Sequence, residues 1–259
     1  MSAALEMFTT ASCDRTRWAG AVLGDIPVEG WLIELDDVPA DLFVRLHGVL
    51  SAEEVARADR FHFAHHRRRF VVARGALRFL LSPHLGIEPA AIGFAYGPAG
   101  KPSVKPTHSG RALFFNVTHA ENLAVVGITR AGEMGVDLER VRVLPDWEHV
   151  ARATFTAEEV EALRASSEAC RPELFFRMWT REEARVKALG VGLGDGGPTR
   201  AAAGWRVQTF SVPPSFLLSV AVPLSARVLP LRQWEGEVAC ASLSQITRGS
   251  SGEDRPTCC

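Results

Sequence analysis

The 259-residue sequence predicts an α+β fold made of two similarly ordered halves. Three observations carry that expectation. Short stretches of alternating or continuous apolar residues read as strands. Two capping boxes, Ser51 with Glu54 and Thr156 with Glu159, each open a helix, and a longer helical pattern follows each one. The order strand, capped helix, longer helix, strand therefore occurs twice, although no residue-level repeat accompanies it. The expected divisions are an irregular lead-in (1–30), an N-terminal half (31–110), a C-terminal half (111–245) and a disordered polar tail (246–259).

In chain order, WLIEL (31–35) reads as a strand stopped by Asp36, Asp37 and Pro39. Ser51 starts a helix to about Phe61. A second helix carries Phe70, Ala73, Leu77 and Leu80 as its apolar stripe and stops near Pro83. Residues 91–96 form a short strand, and the proline- and glycine-rich stretch Gly97 to Pro106 is a loop suited to close approach of a ligand. Strands at 113–118, 123–129 and 134–139, joined by short turns, predict an antiparallel meander. Thr156 caps a helix to about Ser166, and a long helix runs from about Pro172 to Leu189. Strands at 205–210, 216–222 and 228–231 complete the pattern.

Composition narrows the classes. The net charge of −1 gives no global field for nucleic acid or anionic lipid, so any such case rests on a local patch. Five scattered cysteines with no CxxC pair argue against a disulfide framework and a zinc site. The N-terminus has no apolar core of a signal peptide, and no run reaches the roughly 18–20 apolar residues of a membrane span. A cytoplasmic protein without a membrane partner is expected.

Two segments carry candidate chemistry. On the long helix, Phe175, Trp179, Val186 and Leu189 share one stripe, while Glu183 and Lys187 sit four residues apart on its flank. In GVDLE (135–139), strand alternation places Asp137 and Glu139 on one face and Val136 and Leu138 on the other. A magnesium–polyphosphate site needs such carboxylates, because Mg²⁺ takes oxygen ligands and is held by carboxylates plus substrate phosphates. A DxE strand also serves as a solvated face, and spacing leaves both readings standing.

A third segment is basic. Between Arg57 and Arg78 there are seven arginines, three histidines and one acid, Asp59. This is a phosphate-binding face, a solvated helix or a nucleic-acid patch, though it lacks the interleaved aromatics of the last. NVTHA (116–120) ends a strand with a hydroxyl and an imidazole able to hold a phosphate oxygen. GVGLGDGG (190–197) follows a helix and lacks GxxxxGK, so it is a helix stop rather than a P-loop.

A basic helix, then GKP, FNVTHA, GVDLE and WTxxEAxxKAxG, in that order, resembles the 4′-phosphopantetheinyl transferases of the broad-specificity, surfactin-synthetase-activating type. The resemblance covers about Glu53 to Leu193, including FTAEE near Phe155. It implies two similar α+β halves, a pseudo-dimer in a single chain and hence a monomer, with the active site in the cleft between them. It also implies transfer of the 4′-phosphopantetheine arm of coenzyme A to a serine of an apo acyl, peptidyl or aryl carrier protein, with release of 3′,5′-ADP. Carried over residue by residue, Asp137, Glu139 and Glu183 are the Mg²⁺ ligands, with Mn²⁺ as an alternative ion. Glu183 is also the base for the incoming serine, and Lys187 meets the transferring phosphate. Thr118 and His119 hold pyrophosphate or the 3′-phosphate; Lys101, Arg69 and Arg57 line the coenzyme A side.

One departure stands out. The family usually has Lys-Glu where this chain has Glu182-Glu183, and Glu182 falls inside the apolar stripe. Compensation by Arg181 or Arg185, entry of Glu182 into the metal shell, and weakened activity are all open. The competing readings are a weak homologue that only binds coenzyme A or a carrier, and a nucleic-acid module using Arg57 to Arg78.

Overall fold

A computed structural model of the chain describes residues 26–105, 112–191 and 204–236. The tail, most of the lead-in and the glycine-rich loop from 192 onward lie outside the described residues. The first strand, β1 (Ile26–Glu34), begins before the expected Trp31. A register shift between Val28 and Gly30 breaks its alternation, which hid its first turn of sequence.

Helix α1 (Ala40–Gly48) was not expected: Pro39 stands at its N-cap without a side-chain cap bond. Its Leu46 packs on α3 (Ala64–Leu85), where a Cβ at Gly75 would lie 2.7 Å from Leu46 Cβ and O. Between them, α2 (Ala52–Asp59) is closed by the predicted Ser51–Glu54 box. α3 runs past Pro83, which sits in its last turn, and ends at Gly86 with a left-handed φ of 67°. After a 3-10 turn at Pro89–Ala91, the glycine-rich stretch is not all loop. It closes a hairpin of β2 (Phe94–Tyr96) and β3 (Pro102–Val104).

The three middle strands are β4 (Phe114–Ala120), β5 (Leu123–Thr129) and β6 (Gly135–Arg140). They do not form the expected meander. β4 and β5 pair antiparallel, but β6 leaves them and pairs with β8 (Phe216–Pro223), which also pairs with β7 (Trp205–Val212). β5 turns instead to β1, and β9 (Ala226–Gln233) returns to lie parallel on the other side of β1. The sheets are thus β4-β5-β1-β9 and β6-β8-β7, plus the small hairpin. Strand pairing separates the two larger sheets between β5 and β6, and β9 crosses back to the first sheet. Periodicity finds strands but not their neighbours, so this pairing was not readable in advance.

The second half also holds α4 (Trp147–Thr154), unexpected and uncapped by a side chain, and α5 (Ala157–Ala165), closed by the Thr156–Glu159 box. α6 (Arg171–Leu189) is the long helix, ended at Gly190 with φ 70°. Phe175 and Val186 are buried as the stripe predicts, whereas Leu189, at the end of the helix, is exposed. One core lies between α3 and the first sheet, around Ile33, Leu46, Val72, Leu77 and Phe115. A second lies between the two sheets, around Val28, Leu123, Val125, Val136 and Leu218. α6 meets β6 where a Cβ at Gly135 would sit 2.0 Å from Ala184 O and 2.5 Å from Ala188 N, so only glycine permits this approach. No helix among the described residues is long and apolar enough to cross a membrane.

Candidate active site

The seam between β6 and α6 brings together the strand carboxylates and the helix lysine. Lys187 Nζ donates to Asp137 Oδ1 at 2.6 Å and to Thr118 Oγ1 at 3.4 Å. Thr118 Oγ1 also donates to Asp137 Oδ1 at 3.5 Å and accepts the Leu138 N–H at 3.3 Å. Asp137 is buried, and burial pushes its carboxyl up even though the Lys187 ammonium pulls the other way. Burial likewise pushes Glu183 up, with the charge of Asp137 adding to the effect and those of Glu139 and Glu182 following. The carboxyls of Asp137 and Glu183 are therefore both pushed up beside one lysine, and such a cluster calls for further positive charge.

Glu139 is half-buried and accepts from Arg142 at 3.1 Å. Among the described residues, no three His, Cys, Asp or Glu side chains are set to hold a metal on their own. The expected trio is in electrostatic contact but is not a finished cage. The second oxygen of Asp137, Oδ2, is buried and has no hydrogen-bond partner among the described residues. A buried carboxylate oxygen left unpaired is costly, and a hard cation is the partner that suits it. The donor set thus fits a Mg²⁺ whose coordination is completed by water and substrate phosphate, the usual way this ion is held.

Strand alternation separates Thr118 from its neighbour, so His119 leaves β4 on the opposite face. Much of its ring reaches solvent, yet it lies close enough to protein for desolvation to lower its pKa. Lys187, Arg69 and His66 push the same way. A lowered pKa leaves the imidazole with an N–H to donate, and with Arg69 and His66 it makes a corner that suits an anion. Arg69 itself is held by a two-pronged pair with Asp36, at 2.7 and 2.6 Å, which keeps the Asp36 carboxyl below its ordinary value. Arg57 lies over the Phe70 ring at 5.3 Å, and no bond ties it to the Asp137 cluster among the described residues.

Lys101, expected to line the coenzyme A side, is anchored by its ammonium within the protein. Its ammonium donates to Glu133 Oε2 (2.6 Å), Met134 O (3.0 Å) and Ala188 O (3.3 Å). An ammonium has three donors, and all three are engaged: two fasten the β2–β3 hairpin to the segment that leads into β6, and one fastens it to the C-terminal end of α6. The last-turn carbonyls of a helix attract a cation there.

The departure at Glu182 resolves locally. Glu182 is buried, and Arg185 pairs with it at 3.2 Å. Arg181 faces away, donating to Val207 O and Thr209 Oγ1, and burial pushes its pKa down to about 10. Arg185 rather than Arg181 therefore balances the extra acid. Sequence reasoning gave no role to Asn116, whose Oδ1 accepts the Val136 N–H at 2.9 Å. An amide at an inward position of a strand was the available signal.

Two family models match the chain. One, described as the 4′-phosphopantetheinyl transferase superfamily, covers residues 133–218, and another, described as 4′-phosphopantetheinyl transferase, N-terminal, covers residues 39–130. Their border falls between β5 and β6, where the sheets divide. The 4′-phosphopantetheinyl transferase HetI of Nostoc sp. is 40% identical over 163 residues, 63% of this chain and 68% of HetI. AcpT of Salmonella typhi, also named a 4′-phosphopantetheinyl transferase, is 37% identical over 117 residues, 44% of this chain and 56% of AcpT. The human L-aminoadipate-semialdehyde dehydrogenase-phosphopantetheinyl transferase is 28% identical over 153 residues, 56% of this chain and 50% of that enzyme.

Proposed function

The chain belongs to the 4′-phosphopantetheinyl transferase superfamily, and from that premise we propose how its own residues transfer the 4′-phosphopantetheine arm of coenzyme A to a carrier protein. The carrier's serine hydroxyl attacks the phosphorus that bears the pantetheine arm. The bond to the adenosine-side phosphate breaks, and 3′,5′-ADP leaves.

Asp137, Glu139 and Glu183 would hold a Mg²⁺, or a Mn²⁺ in its place, which when bound neutralises charge on the diphosphate. Lys187 lies against Asp137 at 2.6 Å and offers its ammonium to the same phosphate oxygens, which concentrate charge as the bond breaks. Glu183, whose pKa burial raises, takes the serine proton; its position next to Asp137 keeps its affinity for a proton above that of an ordinary glutamate. His119, whose lowered pKa leaves a neutral imidazole N–H to donate, faces the coenzyme A phosphates with Arg69 and His66 nearby. Thr118 holds Lys187 and Asp137 in register. Lys101 supports this arrangement through its clamp on the end of α6. The Glu182–Arg185 pair keeps the added acid from opposing the phosphates.

The observation that carries the reading is the buried, unpartnered Oδ2 of Asp137 beside Lys187. A cytoplasmic setting and an acyl, peptidyl or aryl carrier partner belong to the same reading. Cysteines with no paired framework in the sequence suit a reducing compartment. With a net charge of −1 and several arginines of the basic segment tied to acids, nucleic acid is not the intended partner. Incubation with apo carriers, coenzyme A and Mg²⁺ should add the mass of the phosphopantetheine arm to a carrier. Asp137→Ala should abolish that shift, and full turnover in this variant would remove Asp137 from the site. Glu183→Gln should slow transfer by about 10²–10⁴-fold, the scale of general-base help, with coenzyme A binding retained.

A further inference from the structure

We propose that Asn116 is a positioning residue for the metal-side carboxylates, acting through the backbone of β6 and touching neither coenzyme A nor the ion. This rests on the transferase reading above and adds to it a residue that reading does not use. Two strand edges face each other at this junction. β6 is the edge strand of its sheet, paired with β8 on one side only, and β4 is the edge strand of the other sheet. Backbone N–H groups on an edge normally reach water or another strand. Here Val136 and Leu138 are both buried at 1% exposure, so their N–H groups need protein acceptors.

β4 supplies those acceptors from side chains. Asn116 Oδ1 takes the Val136 N–H at 2.9 Å, and Thr118 Oγ1 takes the Leu138 N–H at 3.3 Å. Asn116 and Thr118 are two residues apart on one face of β4, and the two N–H groups are two residues apart along one edge of β6. The result is a two-rung ladder of side chains that joins the sheets. Asp137 lies between the rungs, and Glu139 follows the second. Thr118 also touches Asp137 and Lys187 directly. Asn116 makes no bond to Asp137, Glu139, Glu183 or Lys187 among the described residues, so its influence on them passes through β6.

The chemistry selects the residue type. Asparagine is depleted in strands, and burying its amide is unfavourable unless the amide is paired. At 4% exposure Asn116 is buried, and its carboxamide reaches a backbone N–H that a hydrocarbon side chain would leave orphaned. Without this rung, the hydrogen bonds that tie β6 to β4 among the described residues all come from Thr118, and Asp137 loses the backbone support on its N-terminal side.

The test compares wild type with Asn116→Ala and Asn116→Thr, the second keeping an acceptor of the kind Thr118 uses. Three readouts are taken: amide hydrogen exchange at Val136, Mn²⁺ affinity by electron paramagnetic resonance, and kcat and KM for coenzyme A with an apo carrier. In Asn116→Ala, Val136 should exchange faster while α3 amides keep their protection, and Mn²⁺ should bind more weakly. Its kcat should fall by roughly tenfold to a hundredfold, the scale of a reacting group misplaced by about 1 Å, with KM for coenzyme A unchanged. Asn116→Thr should recover part of each. A folded Asn116→Ala with wild-type kcat and Mn²⁺ affinity overturns the proposal. Should Asn116→Ala not fold, Asn116→Thr decides. Val136 protection and Mn²⁺ affinity kept together or lost together support the proposal, and one without the other overturns it. A wild type inert toward every carrier counts against the reaction assigned above and leaves the exchange and Mn²⁺ readouts to judge Asn116.

Discussion

At Glu54 a single carboxylate closes the first turn of α2 and meets two arginines of α3. Oε2 accepts the Ser51 N–H at 2.9 Å, and the two oxygens pair with Arg74 (2.5 Å) and Arg78 (2.8 Å). Burial pushes its pKa up, but the Ser51 N–H and the two arginines outweigh burial and hold it below the ordinary 4.5. A lowered folded-state pKa means the folded chain binds fewer protons in acid than the unfolded one. The stabilisation is complete above about pH 4.5 and is lost as pH falls through the folded value. Glu54→Ala should cost about 3–5 kcal/mol at pH 7, since Arg78 would remain buried without its partner. Chemical denaturation should show that gap narrowing as pH approaches 3; a gap independent of pH would contradict this assignment. The capping role of Glu54 was legible in the sequence. Its arginine partners were not, because they lie a full helix away and were read only as part of a basic segment. Lys101 shows the same limit: the sequence supplies a cation, but only the fold shows that its three donors are spent on Glu133, Met134 and Ala188.

Among the elements, α6 and β6 set the site, and Gly135 sets their spacing. The first residue of β6 lies so close to α6 that a methyl group would collide with the backbone at Ala184 and Ala188, neither of which can rotate away. Gly135→Ala should therefore destabilise the protein by about 1–3 kcal/mol or more and displace Lys187 from Asp137. Thermal unfolding and carrier-transfer rates measure both effects, and a variant with unchanged melting temperature and turnover would show that the seam yields. Elements with strong local signals were readable in advance. Both capping boxes form as expected, and α6 runs within a residue of its anticipated start. α1 and α4 open without a capping box, and although Asp146 stands at the start of α4 its side chain makes no cap bond, so their beginnings were weakly marked. β3 was hidden inside a stretch whose glycines and prolines speak for turns.

For the whole molecule, the organising feature is the junction of two sheets at β4 and β6, with the acids and Lys187 on one side of it and His119, Arg69 and His66 on the other. Asp137, Glu183, Lys187 and Thr118 were legible as a group because each stands in a recognisable stretch with the right period. That they converge could not be read from spacing, since β6 pairs with β8 some eighty residues later in the chain. The place of Arg57 was unreadable for the same reason: sequence order sets it on a helix but does not show that it stacks over Phe70. The most direct test uses crystals grown with coenzyme A and Mn²⁺, with anomalous diffraction recorded at the manganese edge. A single peak within coordination distance of Asp137 Oδ2, bordered by Glu139, Glu183 and the coenzyme A diphosphate, is the expected result. A manganese peak elsewhere, or a diphosphate bound with those carboxylates turned away, would contradict the account.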